Sequence, residues 1–122
     1  MKNPKEAQCA ISINLDIQER DQLVAIAREI DLPRNRIIRQ LIRYFLQGRI
    51  EWLELFEKTY DIGIGAIKEK VAVRTCLPPE LYTAFVQFVE KKGSTTGVVL
   101  RRLIFLYITH EAIWKTIWLI DD

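Results

Sequence analysis

The 122-residue chain contains two copies of one pattern, related by one constant offset without a gap. Residues 11–15 align with residues 73–77, and the match continues through the regions that follow. Identical residues recur at Leu15 and Leu77, Val24 and Val86, Arg39 and Arg101, and Trp52 and Trp114. Any two amphipathic helices can be slid into register, but a gap-free match over a strand, two helices and a tail is improbable by that route. The chain is therefore predicted to consist of two copies of one structural unit.

Each copy opens with a short run in which apolar and polar side chains alternate. The inward residues are Ile11, Ile13 and Leu15 in the first copy and Val73, Thr75 and Leu77 in the second. This period of two is typical of a half-buried strand. A single strand would expose a row of unpaired backbone groups, so the two strands are predicted to pair with each other.

Two helices follow in each copy. Leu23, Ile26, Ala27 and Ile30 form one amphipathic stripe, and Leu81, Phe85, Phe88 and Val89 form its counterpart. Pro33 and Gly93 are predicted to end these helices. The next helices, from about Arg34 and from the Ser94-Thr95-Thr96 cap, are apolar on more than one face, which predicts a central position.

Residues 49–60 and 111–122 form two tails with large aromatic side chains, and the glycine-containing residues 61–65 form the expected linker. We expect the tails to pack on the second helices and on each other, with a remainder available for self-association. The predicted fold is mostly α with a short two-stranded antiparallel β-ribbon. Residues 1–61 are the first copy with its helical tail, residues 62–122 the second, and together they form one intertwined domain.

The pattern resembles the ribbon-helix-helix family of Arc-type and MetJ-type repressors. The resemblance covers residues 10–46 and 72–108 and is clearest in residues 73–81, in residues 93–97 and at Leu100-Arg101. The first copy departs from the family at Asp16-Ile17, where a proline is expected, and at residues 31–33, where a glycine turn is expected. Family members act as dimers, so the resemblance implies a tandem ribbon-helix-helix pseudo-dimer within one chain.

The resemblance also implies two sets of DNA-contacting residues. Base contacts fall to the outward strand residues Ala10, Ser12, Asn14, Ala72, Arg74 and Cys76. Phosphate contacts fall to the start of the second helices, at Arg34, Asn35, Arg36, Thr95, Thr96 and Gly97, where free N–H groups and the helix dipole attract anions. Arginine pairs with guanine and asparagine with adenine, so the unlike strands predict a non-palindromic site. A solvated sheet face remains the alternative, since one outward residue in six is charged; Arg39 and Arg43 are expected to be solvated or ion-paired.

The leading functional prediction is sequence-specific binding of double-stranded DNA by a transcriptional repressor. The alternatives are a relaxosome or plasmid-partition accessory protein, and a protein-interaction module on the same fold that has lost DNA binding. A net charge of +2 neither demands nor forbids nucleic acid, because the placement of charges decides. Salt-dependent binding to duplex DNA separates the two DNA-binding roles from the protein-interaction module.

Several other functions are not expected. The chain shows no nucleophile and base pair, carboxylate dyad or phosphate loop, so an enzyme is not predicted. The lone His110 beside Glu111 is interpreted as a solvated residue, and Cys9 and Cys76 lack metal spacing, so no metal or cofactor is expected. The polar N-terminus does not resemble a signal peptide, and no apolar run is long enough for a membrane span. We therefore expect a cytoplasmic, nucleoid-associated protein.

Overall fold

The computed structural model describes residues 9–59 and 67–109. The expected linker, His110 and the second tail lie outside these residues. The described elements are β1 (Cys9–Asp16), α1 (Ile17–Glu29), α2 (Arg34–Leu46), α3 (Trp52–Lys58), β2 (Lys70–Leu77), α4 (Pro79–Lys91) and α5 (Thr96–Thr109). The prediction of a mostly helical fold with a two-stranded antiparallel sheet is confirmed. The constant offset that relates the sequence copies also relates the bounds of α1 to those of α4.

Strands β1 and β2 pair in antiparallel orientation, from Cys9 opposite Leu77 to Asp16 opposite Lys70. Each strand thereby supplies the hydrogen-bonding partner that the other lacks. The alternation predicted from the sequence is confirmed, because the six inward side chains are buried: Ile11, Ile13, Leu15, Val73, Thr75 and Leu77. The β-ribbon, meaning β1 and β2 together, therefore has one face packed on the helices.

The helix that follows each strand is started by different residues in the two copies. Asp16 caps α1: its side chain accepts from the Gln18 N–H at 3.1 Å, and the Glu19 carboxylate accepts from the Asp16 N–H at 2.9 Å. At the start of α4 the corresponding positions hold Pro78, the N-cap, and Pro79, the first helical residue, and the fixed φ of proline suits a helix start. The first copy thus has a capping box where the second copy has prolines.

The turns between helices also match, although their residues differ. Asp31 has φ +58° and Gly93 has φ +75°, and both stand directly after the helix cap. The Leu32 N–H donates to the Ala27 carbonyl at 3.0 Å, and the residue after Gly93 makes the equivalent bond at 3.2 Å. The first copy therefore makes the left-handed turn without glycine, since aspartate tolerates this conformation better than most residues.

Helices α2 and α5 supply much of the buried core, as their apolar faces predicted. The buried residues of these helices are Ile37, Ile38, Leu41, Ile42, Tyr44, Phe45, Val99, Leu100, Leu103, Ile104, Leu106 and Tyr107. Phe45 of α2 meets Phe85 and Phe88 of α4 edge-on, with ring centroids 6.3 and 5.1 Å apart. Side chains from both halves of the chain therefore pack into one cluster.

The first tail forms α3 and packs on α5. Leu55 is fully buried, and Trp52 is half-buried against Phe56 at a centroid distance of 4.6 Å. Arg102 of α5 lies 4.4 Å from the Phe56 ring and donates to both the carbonyl and the hydroxyl oxygen of Thr59 at 2.9 Å. Burial, followed by the nearby charge of Arg101, lowers the pKa of Arg102, but a guanidinium remains protonated. Among the described helices, none has the length and apolar character needed to cross a membrane.

Candidate DNA-binding surface

The structure brings the six predicted base-contacting residues together on one face of the β-ribbon. We call these residues the outer row; its cross-strand pairs are Ala10 with Cys76, Ser12 with Arg74, and Asn14 with Ala72. Five of the six are exposed, and Cys76 is half-buried. The outer row exists because strand side chains alternate, so burying Ile13 and Val73 against the helices directs their neighbours outward.

Arg74 occupies the middle of the outer row. Within residues 9–59 and 67–109 its guanidinium has no ion pair, so its five N–H donors can meet an external acceptor. Asn14 adds an amide that both donates and accepts hydrogen bonds. The pattern combines one fixed donor fork, one amide and small neighbours, which is suited to base edges in a groove. A sheet face that contacts only solvent would also have exposed side chains. The feature that favours a DNA-binding surface is therefore the guanidinium of Arg74.

The N-termini of α2 and α5 present backbone donors at corresponding positions. In α2 the Arg36 and Ile37 N–H groups both donate to the Pro33 carbonyl, at 3.0 and 3.3 Å. The Arg34 and Asn35 N–H groups, which stand earlier in the turn, have no carbonyl within the helix to accept them. The Arg34 Nε and the Asn35 Oδ1 are buried without a hydrogen-bond partner among the described residues.

In α5 the Thr95 hydroxyl accepts from the Val98 N–H at 3.3 Å, and the Thr95 carbonyl accepts from the Val99 N–H at 3.1 Å. The N–H groups of Thr96 and Gly97 are thereby the two without a helical acceptor. Under the offset between the copies they are the counterparts of Arg34 and Asn35, so two of the three predicted phosphate positions in each copy correspond, whereas Arg36 aligns with Val98 and Thr95 with Pro33. The two sites differ in charge, because α2 begins with two arginines and α5 with none.

Two other arginines, Arg43 and Arg101, are engaged with side chains of the protein. Arg43 donates to the Gln40 side chain at 3.0 Å. Arg101 forms a two-pronged ion pair with Glu19, with both N–O distances at 3.2 Å and side-chain exposures of 19% and 12%. Arg39 is the counterpart of Arg101 and is half-exposed, but the counterpart of Glu19 is Leu81, so the repeat supplies no second ion pair of this kind.

Sequence reasoning missed a connection at one end of the β-ribbon. The Asp16 carboxylate accepts from the backbone N–H groups of Lys68 and Glu69 at 3.0 and 3.1 Å, and Ile17 N–H donates to the Glu69 carbonyl at 2.9 Å. The backbone bonds from Glu69 and Gln18 lower the pKa of Asp16. The spacing of Asp16 and Glu19 signals the capping box, but nothing local signals the contact with residues 68–69.

Two exposed lysines beside the outer row were also missed. Lys70 lies opposite Asp16 in the register, and Lys68 precedes it. Both precede the alternating run from which the strand was recognised, and they add positive charge at the end of the β-ribbon nearest Asn14. No group of histidine, cysteine and carboxylate side chains suited to a metal occurs among residues 9–59 and 67–109.

Comparison with known proteins gives no information about the function of this surface, so its interpretation rests on its geometry. No protein-family model, no curated protein sequence and no solved structure matches the chain.

Proposed function

We propose that this protein binds double-stranded DNA sequence-specifically by inserting the β-ribbon into the major groove. The observation that carries the proposal is the exposed outer row with Arg74 uncommitted at its middle. The major groove is wide enough for a two-stranded ribbon, and its base edges form a distinct pattern for each base pair. The proposed biological role is transcriptional repression, which is the role of the repressors that the sequence pattern resembles.

The proposal includes a tandem ribbon-helix-helix pseudo-dimer. The support for this is the pairing of the two strands. Ser12 and Arg74 are counterparts in the repeat and are also cross-strand partners, so exchanging the two copies leaves the register unchanged. The bounds of α1 and α4, the starts of α2 and α5 and the two left-handed turns follow the same offset. A tethered partner strand is present at an effective concentration near millimolar, so one chain can form the β-ribbon that separate subunits otherwise form.

Phosphate binding at the starts of α2 and α5 complements base contact in the proposal. Free N–H groups and the helix dipole favour an anion there, and Arg34 and Arg36 add positive charge at α2. Such contacts position a protein on DNA without specifying the sequence. A near-neutral net charge is compatible with this mode because the cations near the β-ribbon, rather than the total charge, meet the duplex.

The experiment is a salt titration of binding to fluorescent duplex DNA, followed by selection from a random duplex library. Affinity is expected to fall linearly on a log–log plot against salt, since bound cations release counterions. Arg34→Ala should weaken binding to all sequences alike and reduce the slope by about one unit. Lys58→Ala is the matched control, because it removes one exposed charge from α3 and should leave the slope unchanged.

Absence of binding to any duplex at low salt would refute the proposal. That result would favour the alternative of a protein-interaction module on the same fold. If the Arg34 variant changes affinity for the preferred site alone, that residue contacts bases and the assignment of phosphate contact is wrong.

A further inference from the structure

The register of the β-ribbon determines where the differences between its strands lie relative to a bound duplex. A pseudo-twofold axis that exchanges the copies passes between Ser12 and Arg74, because these two residues are both sequence counterparts and cross-strand partners. The same axis exchanges Ala10 with Ala72, which are identical, and Asn14 with Cys76, which are not. The outer row is thus asymmetric at its centre and between its two ends.

We infer that the protein binds its DNA site in one orientation, with one guanine contacted at the centre by Arg74 and one adenine contacted to one side by Asn14. This inference rests on the proposed function. Asn14 lies beside Ala72, two residues along β2 from Arg74, which is about 6.6 Å of strand. Base pairs are stacked about 3.4 Å apart, so the two contacted base pairs are about two steps apart.

The central arginine depends on the chain being a tandem. In a symmetric homodimer the two central residues are identical, and two arginines directly opposite would repel each other across the strands. Here the partner of Arg74 is Ser12, a small neutral residue that leaves the guanidinium room to reach one strand of the duplex. Divergence of the copies therefore permits a single strong donor fork on the axis, where a homodimer must place two equal groups.

The test exchanges residues across the axis. The central swap combines Ser12→Arg with Arg74→Ser, the end swap combines Asn14→Cys with Cys76→Asn, and the double swap contains all four changes. Each is applied to the full chain under reducing conditions and compared with the wild type in selection from random duplex DNA and in binding to the wild-type site. Five wild-type residues of the outer row are exposed and the sixth half-buried, so the swaps leave the buried face of the β-ribbon unchanged.

The central swap moves the guanidinium to the other strand, so its selected motif should have the central G·C pair inverted while the adenine position is unchanged. Either swap alone should weaken binding to the wild-type site by about 5- to 150-fold, the range for one bidentate base contact. The double swap rebuilds the same outer row after a half-turn, so it should bind the wild-type site within about threefold of the wild type.

The double swap should also bind the wild-type site in the opposite orientation. A donor fluorophore at the chain's N-terminus and an acceptor on one end of the duplex report this, because β1 runs along the β-ribbon in one direction. The energy-transfer efficiencies with the acceptor on the left and right ends should exchange. Arg74→Ala gives an independent measure, since the preference for guanine at the central position should disappear in this variant.

Three results overturn the inference: a palindromic wild-type motif, an unchanged central base pair in the central swap, or a double swap that binds the wild-type site as weakly as either swap. Failure of the proposed function has a different signature, because the wild type would then retain no duplex in the selection. A wild type that binds duplexes with no sequence preference leaves DNA binding in place and refutes the specific contacts.

Discussion

Thr75 offers a direct test of the packing beneath the β-ribbon. Its side chain is fully buried, and its hydroxyl has no hydrogen-bond partner among the described residues. The corresponding residue of the first copy is Ile13, which is 1% exposed and purely apolar. Valine has nearly the shape of threonine, so Thr75→Val removes the unpaired hydroxyl and fills its place with a methyl group. We therefore expect this substitution to stabilise the protein.

The magnitude follows from the cost of burying a polar group without a partner. An unsatisfied buried hydroxyl costs about 1–3 kcal/mol, and Thr75→Val should recover a gain of that order. Unfolding entropy scales with chain length, so 1 kcal/mol corresponds to about 4 °C in Tm for 122 residues. Thermal unfolding followed by circular dichroism should show an increase of about 4–12 °C. Affinity for DNA should stay the same, because Thr75 points away from the outer row.

Thr59 is the matched control, because it is equally buried but fully engaged. Its hydroxyl donates to the Leu55 carbonyl at 2.6 Å and accepts from Arg102 at 2.9 Å. Thr59→Val should therefore destabilise the protein by about 1–3 kcal/mol, since a charged donor loses an acceptor. The reasoning fails if Thr75→Val lowers Tm, or if the two variants shift Tm in the same direction.

Three further predictions concern the ends of the helices. Glu19→Gln should lower the free energy of unfolding in urea by about 1–2 kcal/mol, because Arg101 keeps its partly buried charge and loses its partner; a change under about 0.3 kcal/mol would contradict this. The lowered pKa of Asp16 means that its stabilising effect is fully present above pH of about 4 and is lost as the pH falls through the lowered value. Asp16→Asn should therefore flatten the decline of the urea midpoint below that pH, and an unchanged decline would refute the assignment. Gly93→Ala should destabilise by about 1 kcal/mol at its positive φ, whereas Asp31→Gly should be neutral or stabilising; a Gly93→Ala variant that is not destabilised, or an Asp31→Gly variant that is, would contradict this in calorimetry.

The elements of this fold, and the buried face of each element, can be predicted from the sequence alone. Alternation at Ile11, Ile13 and Leu15, and the helical stripes after them, depend on the backbone period alone, so they are readable without tertiary information. The repeat further indicated that two lone strands would pair, and the alternation indicated which six residues would form the outer row. Local chemistry also signalled the helix ends, through Pro33 and Gly93.

Tertiary structure decided how those elements meet. The register that places Ser12 beside Arg74 is set by how both strands pack on α2 and α5, and a slip by one residue would turn every side chain to the other face. The ion pair of Glu19 with Arg101 joins residues 82 positions apart and has no counterpart in the other copy. The repeat predicts equivalence at every corresponding pair, but packing is sensitive to the individual side chains, so the departures from equivalence emerge only when the chain is folded.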